Sequence, residues 1–184
     1  MWWRRSRRSG AVTVLEDPPV GGYGAASTPA PDAPLRVRPA APADAQDLLR
    51  WRNDPLARAM SRNQAPILEE AHSAWYTAAC RDPDSMLLIG CVGERPVGMV
   101  RFDRRPPSAW EASILLAPQA RGRGLGRPLL ESALGRLEAL RGPTVVLAQV
   151  RDSNTASIRL FESLGFVRCG SDLGFLRYRR PGAE

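Results

Sequence analysis

Apolar and polar positions along this chain recur with periods that change from two to about 3.6 and back. Leu35-Arg36-Val37-Arg38 alternates as a strand does, and Ala43 to Trp51 then sets Ala45, Leu48, Leu49 and Trp51 at helical spacing. Leu68 to Ala79 is helical again, with Ala71, Trp75 and Ala78 along one face, until Asp82-Pro83-Asp84 breaks it. Met86 to Val92 and Val97 to Phe102 are strand-length apolar runs joined by Gly93-Glu94-Arg95-Pro96, which predicts a hairpin. Asp103 to Ser108 is a proline-broken turn, after which Trp110 to Leu116 forms a further strand. Leu125 to Leu140 carries Leu129, Leu130, Ala133, Leu134, Leu137 and Leu140 three or four apart, and Val145 to Val150 is a buried-type strand. A short helix bearing Ile158, Phe161 and Leu164 closes at Gly165, and Phe166 to Cys169 and Leu173 to Tyr178 flank Gly170-Ser171-Asp172. The expected fold is α/β in the α+β sense: a mixed sheet of six or seven strands with about four helices. Its N-terminal part is antiparallel, its middle a strand-helix-strand crossover with parallel strands, and its end a hairpin.

The crossover contains the most informative stretch, Ala117 to Gly126 (APQARGRGLG). Gly122, Gly124 and Gly126 remove three side chains where the backbone turns into a helix, so successive N–H groups can converge on an anion. The helix N-terminus adds partial positive charge at the same point. Arg121, Arg123 and Arg127 add full charges suited to a diphosphate. A Walker-type loop requires lysine, and the chain has none. The dinucleotide fingerprint fits poorly, because no third glycine follows at the required spacing and no acidic residue ends the run Val145 to Val150.

Arg121-x-x-Gly124-x-Gly126, preceded by a strand and Pro118, resembles the acetyl-CoA loop of the GNAT acetyltransferase superfamily. A second run, VRDSNTASIRLFESLGFVR from Val150 to Arg168, is similar to another signature of that family, in which an Asn begins the last helix. The likeness covers about residues 35–180 and implies acetyl-CoA as acyl donor and direct transfer to a primary amine. It also implies that the two crossover strands splay and hold the pantetheine arm between them. Carried onto this chain, the cofactor would meet Leu115, Leu116, Ala117, the loop Arg121, Gly122, Arg123, Gly124, Leu125, Gly126 and Arg127, and then Asn154 and Phe161. A backbone N–H near Leu115 or Leu116 would serve the developing oxyanion.

Glu111, on the central strand about ten residues before Arg121, is the candidate general base. Many GNATs place a Tyr where this chain has Phe161, so the acid that protonates the leaving thiolate is unassigned; Ser157 and Tyr178 are the candidates. Phe161 also keeps open a non-catalytic acyl-CoA-binding module. The run LLRWRNDPLARAMSRNQAPI resembles N-acetyltransferases of nucleotide-linked amino sugars of the pseudaminic acid type, with ribosomal-protein N-terminal acetyltransferases as the alternative. On the first resemblance, Arg52, Asn53, Asp54 and Arg58 would face a nucleotide-linked amino sugar. A simpler reading stands beside it: Asp54 caps a helix whose first position is Pro55. His72 is expected to be structural or exposed.

Bulk properties narrow the picture further. At 184 residues the chain holds one core, taken as a domain over 35–184 behind an Arg-, Pro-, Gly- and Ala-rich extension over 1–34 that has the composition of disorder. All 26 basic residues are arginine, with a net charge of +7. With the Ala, Pro and Gly richness this points to biased coding composition rather than to a nucleic-acid partner. Cys80, Cys91, Cys169 and His72 show no metal spacing, so no metal is expected. With no secretory signal and no run of about 20 apolar residues, the expectation is a cytoplasmic monomer or homodimer without a membrane partner.

Overall fold

A computed structural model describes residues 34–182; all of the 1–34 extension except Pro34 lies outside the described residues. Seven strands form one sheet: β1 (Leu35–Pro39), β2 (Ser85–Val92), β3 (Arg95–Arg105), β4 (Ala109–Leu116), β5 (Val145–Arg151), β6 (Val167–Asp172) and β7 (Phe175–Arg180). Five α-helices accompany them: α1 (Ala45–Asn53), α2 (Pro55–Ala59), α3 (Glu69–Arg81), α4 (Gly126–Arg141) and α5 (Thr155–Ser163). The order across the sheet is β1-β2-β3-β4-β5-β7-β6, so the terminal hairpin inserts its second strand beside β5. The expected mixed α/β architecture is present.

Strand alternation divides the core between the two faces. Leu88, Val100, Phe102, Trp110, Ala112, Val146 and Ala148 turn toward Leu129, Leu130, Ala133, Leu134 and Leu137 of α4 and Phe161 of α5. Leu87, Ile89, Val97 and Met99 turn the other way, onto Leu48 and Trp51 of α1 and Tyr76 of α3. Burying a large apolar side chain stabilises by roughly 1.5–3 kcal/mol, so α4, with five fully covered core positions, is the best-anchored helix. A Cβ at Gly98 would lie 2.9 Å from Leu129 Cδ2, so the absence of a side chain there lets α4 approach the sheet.

Several elements differ from the sequence expectation, β6 among them: it runs through Gly170, Ser171 and Asp172, which were expected to form the turn. β3 does not stop at Phe102 but continues to Arg105, because Asp103, Arg104 and Arg105 keep their register with Glu111, Trp110 and Ala109 and Arg104 N–H donates to Asp84 O at 2.8 Å. The β2–β3 connection is tighter than the four-residue loop read from Gly93 to Pro96. Arg95 and Pro96 pair with Val92 and Cys91 across a bulge at Gly90/Cys91.

The feature that positions the site is the β4–β5 pair. The two strands run parallel and pair from Ala109/Val145 to Ala112/Ala148, and there the pairing stops. β4 continues to Leu116 along β3, while β5 continues to Arg151 along β7. A gap therefore opens between them, as the family resemblance implied.

Candidate functional site

The gap widens into a cleft of about 1460 Å³ that crosses the sheet from the α4–α5 face to the α1–α3 face. On β4, Ala117 N–H donates to Val97 O at 2.9 Å, on the β3 side. Successive peptide groups of a strand point to opposite edges, so the N–H groups of Leu116 and Ile114 face the gap. Of the two donors expected near Leu115 and Leu116, the strand's phase therefore selects Leu116 and adds Ile114. Ala117 is fully buried and lies outside the cleft lining.

At one mouth of the cleft the glycine loop leads into α4. Gly122 and Gly124 have φ of +71° and +73°, and a Cβ on either would project into open space. That conformation is strained for a residue with a side chain. α2 is capped by the Asp54 carboxylate and α5 by the Asn154 side chain, but no side chain caps α4. Its first-turn N–H groups, the open face of the two glycines and the charges of Arg127 and Arg159 line the same mouth. This set fits a diphosphate-bearing cofactor. Arg123 does not line the cleft, and Arg127 Nη1 also donates to Ser163 O at 3.0 Å.

Arg121 is held in an unexpected way. Its Nη1 reaches Asp54 Oδ1 at 2.6 Å, so a residue expected at the cofactor and one expected at the substrate are partners. Burial raises the Asp54 pKa, but the Arg121 hydrogen bond, the Ala57 and Leu56 N–H groups and the Arg121 charge outweigh it and hold the carboxyl below its usual range.

Of the four residues expected to face the acceptor, Asp54 caps α2 and pairs with Arg121, and the other three are occupied with the backbone of the segment between α2 and α3. Asn53 binds both polar atoms of Ile67, Nδ2 to O and Oδ1 from N–H, each at 2.8 Å. Arg52 Nη2 donates to Asn63 O at 2.8 Å and Arg58 Nε to Gln64 O at 2.8 Å. Only Arg52 of the four also lines the cleft. Side-chain donors and acceptors beside a loop satisfy its backbone when no strand or helix does, which is why this polar run reads like a binding motif in sequence.

Glu111 does line the cleft. Arg105 Nε donates to its Oε2 at 2.6 Å, and Gln149 Nε2 donates to its Oε1 at 3.3 Å. Gln149 Oε1 in turn accepts from Arg62 Nη2 at 2.6 Å. The same wall carries Ser113, the buried Arg101 paired with Asp103 at 2.7 Å, and Arg151. Burial pulls Arg101 below the ordinary guanidinium value, against the opposing pull of Asp103. His72 is buried rather than exposed, stacked on Tyr76 with ring centroids 5.8 Å apart, and burial lowers its pKa, which favours the neutral ring.

Ser157, Asn154 and Phe161 line the α5 side of the cleft. Phe161 packs edge-on against Phe166 at 4.9 Å. Tyr178 does not reach the cleft: it is 1% exposed and its hydroxyl donates to Glu162 Oε1 at 3.0 Å. The arginines and glutamine on the wall beside Glu111 were missed in sequence. Their signal is there, since Arg101, Gln149 and Arg151 interrupt otherwise apolar strands.

A parallel pair that splays beside backbone donors, with a glycine cradle at its mouth, defines a fold built to hold an acyl-pantetheine cofactor against the sheet. Residues 46–166 match the acetyltransferase (GNAT) family, and the chain belongs to it. Among curated relatives it is 31% identical over 150 residues to a mycothiol acetyltransferase of Salinispora arenicola, covering 79% of this chain but 44% of that protein. It is 29% identical over 140 residues to an L-methionine sulfoximine/L-methionine sulfone acetyltransferase of Pseudomonas paraeruginosa, covering 73% of this chain and 81% of that one. The fold matches a ribosomal-protein-alanine N-acetyltransferase from Brucella melitensis with a TM-score of 0.68 and 27% identity, covering 79% and 98% of the two chains. It also matches an acetyltransferase from Salmonella typhimurium solved with its cofactor acetyl-CoA, with a TM-score of 0.67 and 25% identity over 82% and 95%. Acetyl-CoA is the cofactor of this family. Among the described residues no helix is long and apolar enough to cross a membrane.

Proposed function

We propose that this chain is an acetyl-CoA-dependent N-acetyltransferase acting on an α-amine, that of an amino acid or of a peptide N-terminus. The observation that carries this reading is the alignment, within one cleft, of the phosphate cradle at Gly122 and Gly124, the free β4 donors at Ile114 and Leu116, and the Glu111 carboxylate. Acetyl-CoA, when bound, supplies a thioester whose acyl carbon accepts the amine and whose C–S bond breaks to release the thiol.

The protein's own groups do the rest. Gly122, Gly124 and the α4 N-terminus would hold the diphosphate, and the Ile114 and Leu116 N–H groups would receive the acyl oxygen. Glu111, fixed by Arg105 and Gln149, takes the proton that the amine loses. Ser157 is the α5 hydroxyl available to the departing sulfur, since Tyr178 is turned away. A thiol pKa near 8.5 makes a strong acid unnecessary there. An α-amine of pKa near 8 is neutral in about one molecule in ten at pH 7, against about one in 2,500 for a lysine-like amine. A carboxylate is a weak base and suits the first kind.

The relatives named for an amino acid and for a protein α-amine agree with this choice. The nucleotide-linked amino sugar finds no support among them. The arginines assigned to its diphosphate, Arg52 and Arg58, hold the carbonyls of Asn63 and Gln64. The test is calorimetric titration with acetyl-CoA and CoA, followed by a thiol-release assay over L-methionine sulfone, other amino acids, peptides with free N-termini, nucleotide-linked amino sugars and spermidine. Glu111→Gln is expected to lower kcat by 10²–10⁴-fold with the acetyl-CoA Kd unchanged. An unaltered rate and pH profile removes Glu111 from the mechanism.

A further inference from the structure

The acceptor end of the cleft contains a pair of guanidinium groups that the transfer itself does not use. Arg62, from the α2–α3 segment, and Arg151, at the end of β5, both lie over the ring of Phe175, their Cζ atoms 4.3 Å and 4.8 Å from its centroid. β5 and β7 bring Arg151 opposite Phe175. Gln149, two residues earlier on the same face of β5, joins Arg62 to Glu111. Arg62 is thus linked through Gln149 to the candidate base, and Arg151 lies beside it on the same ring.

Charge on this wall is not balanced. Glu111 is matched by Arg105 and Asp103 by Arg101. Arg62 meets Asp172 of the β6–β7 hairpin only at 3.6 Å. Arg151 forms no ion pair among the described residues; its Nη2 donates to Ser61 O at 3.1 Å, and its Nε is buried without an acceptor. A partly desolvated guanidinium without a counter-charge is unfavourable alone and strongly favours an anion brought to it. The guanidinium fork matches carboxylates and phosphates alike, and on an α-amine acceptor the anion at hand is the carboxylate. A polycationic amine brought to the same wall would add to the repulsion.

Resting on the transferase reading above, we infer that the acceptor is an amine carrying its own carboxylate, with that carboxylate docked at Arg151 and Arg62 and the amine directed at Glu111. The substrate class is therefore free amino acids, in preference to polyamines and to peptide N-termini whose neighbouring group is a neutral amide. Arg151 and Arg62 are its specificity residues.

The experiment measures kcat/KM by thiol release for a panel of L-amino acids, including oxidised methionines, each as free acid and as carboxamide, together with spermidine. It uses the full-length protein, Arg151→Gln, Arg151→Lys and Arg62→Gln. The acid is expected to exceed its amide by on the order of 100-fold, carried in KM. That ratio should fall toward one in Arg151→Gln and in Arg62→Gln and be largely kept in Arg151→Lys. Calorimetric binding of the best acid to the CoA-loaded protein should weaken in parallel, which a loss of fold, checked by circular dichroism, would not mimic. Equal rates for acids and amides, or spermidine as the best acceptor, overturn the inference while the transferase reading stands. Acetyl-CoA binding with no transfer to any amine overturns both.

Discussion

Replacing Gly124 by alanine separates what the cradle does for the fold from what it does for the cofactor. At φ +73° a Cβ costs about 1–2 kcal/mol of backbone strain, yet it meets no protein atom within 4 Å. For a domain of this size each kcal/mol lowers Tm by roughly 2–4 °C, so the apo protein should lose about 2–8 °C. The open space is the place argued for the diphosphate, and a methyl there displaces at least one charged hydrogen bond, worth about 1.5–3 kcal/mol. The acetyl-CoA Kd should therefore rise by about 10- to 150-fold, beyond anything the stability loss explains in a protein still folded at 25 °C. Gly135→Ala is the internal control. It lies inside α4 with no atom near its Cβ position, so it should raise Tm through a helix-propensity gain of about 1 kcal/mol and leave Kd alone. Calorimetry and thermal unfolding on the three proteins decide the matter. A Gly124→Ala protein with lowered Tm and unchanged acetyl-CoA affinity refutes the cradle.

Two further outcomes follow from polar side chains packed into the fold. Asn53→Ala removes both hydrogen bonds to Ile67 and should cost about 1–3 kcal/mol, seen as a lower urea midpoint, with a raised KM because Ile67 and its neighbours line the cleft; an unchanged midpoint discards the latch. His72, whose pKa burial lowers, takes up its proton more readily when unfolded, so stability should decline as pH falls below about 6.5. His72→Phe should flatten that decline in urea melts between pH 7 and pH 5, and an identical slope would show that His72 does not carry it.

The order of strands and helices, the phosphate-type loop and the base candidate were all legible along the chain, because each rests on local rules. Period two or 3.6, glycine where side chains are excluded, and proline at a helix start need no distant partner. Asp54 shows the boundary: its capping role was readable, and its ion pair with Arg121, 67 residues away in sequence, was not. Arg151 shows the same limit from the other side. As one arginine among 26 it carries only the signal of a charge ending an apolar strand, and its role takes form when β7, inserted between β5 and β6, sets Phe175 beside it.

Hydrophobic periodicity and turn chemistry are properties of neighbours in sequence, so the chain by itself determined most of its elements, its fold class and the glycine turn that enters α4. Which polar side chains hold a loop and which face a ligand depends on pairing between residues far apart in the chain. Only the sheet order and the point at which β4 leaves β5 decide that. Those two features bring Glu111, Gln149, Arg62 and Arg151 together on one wall.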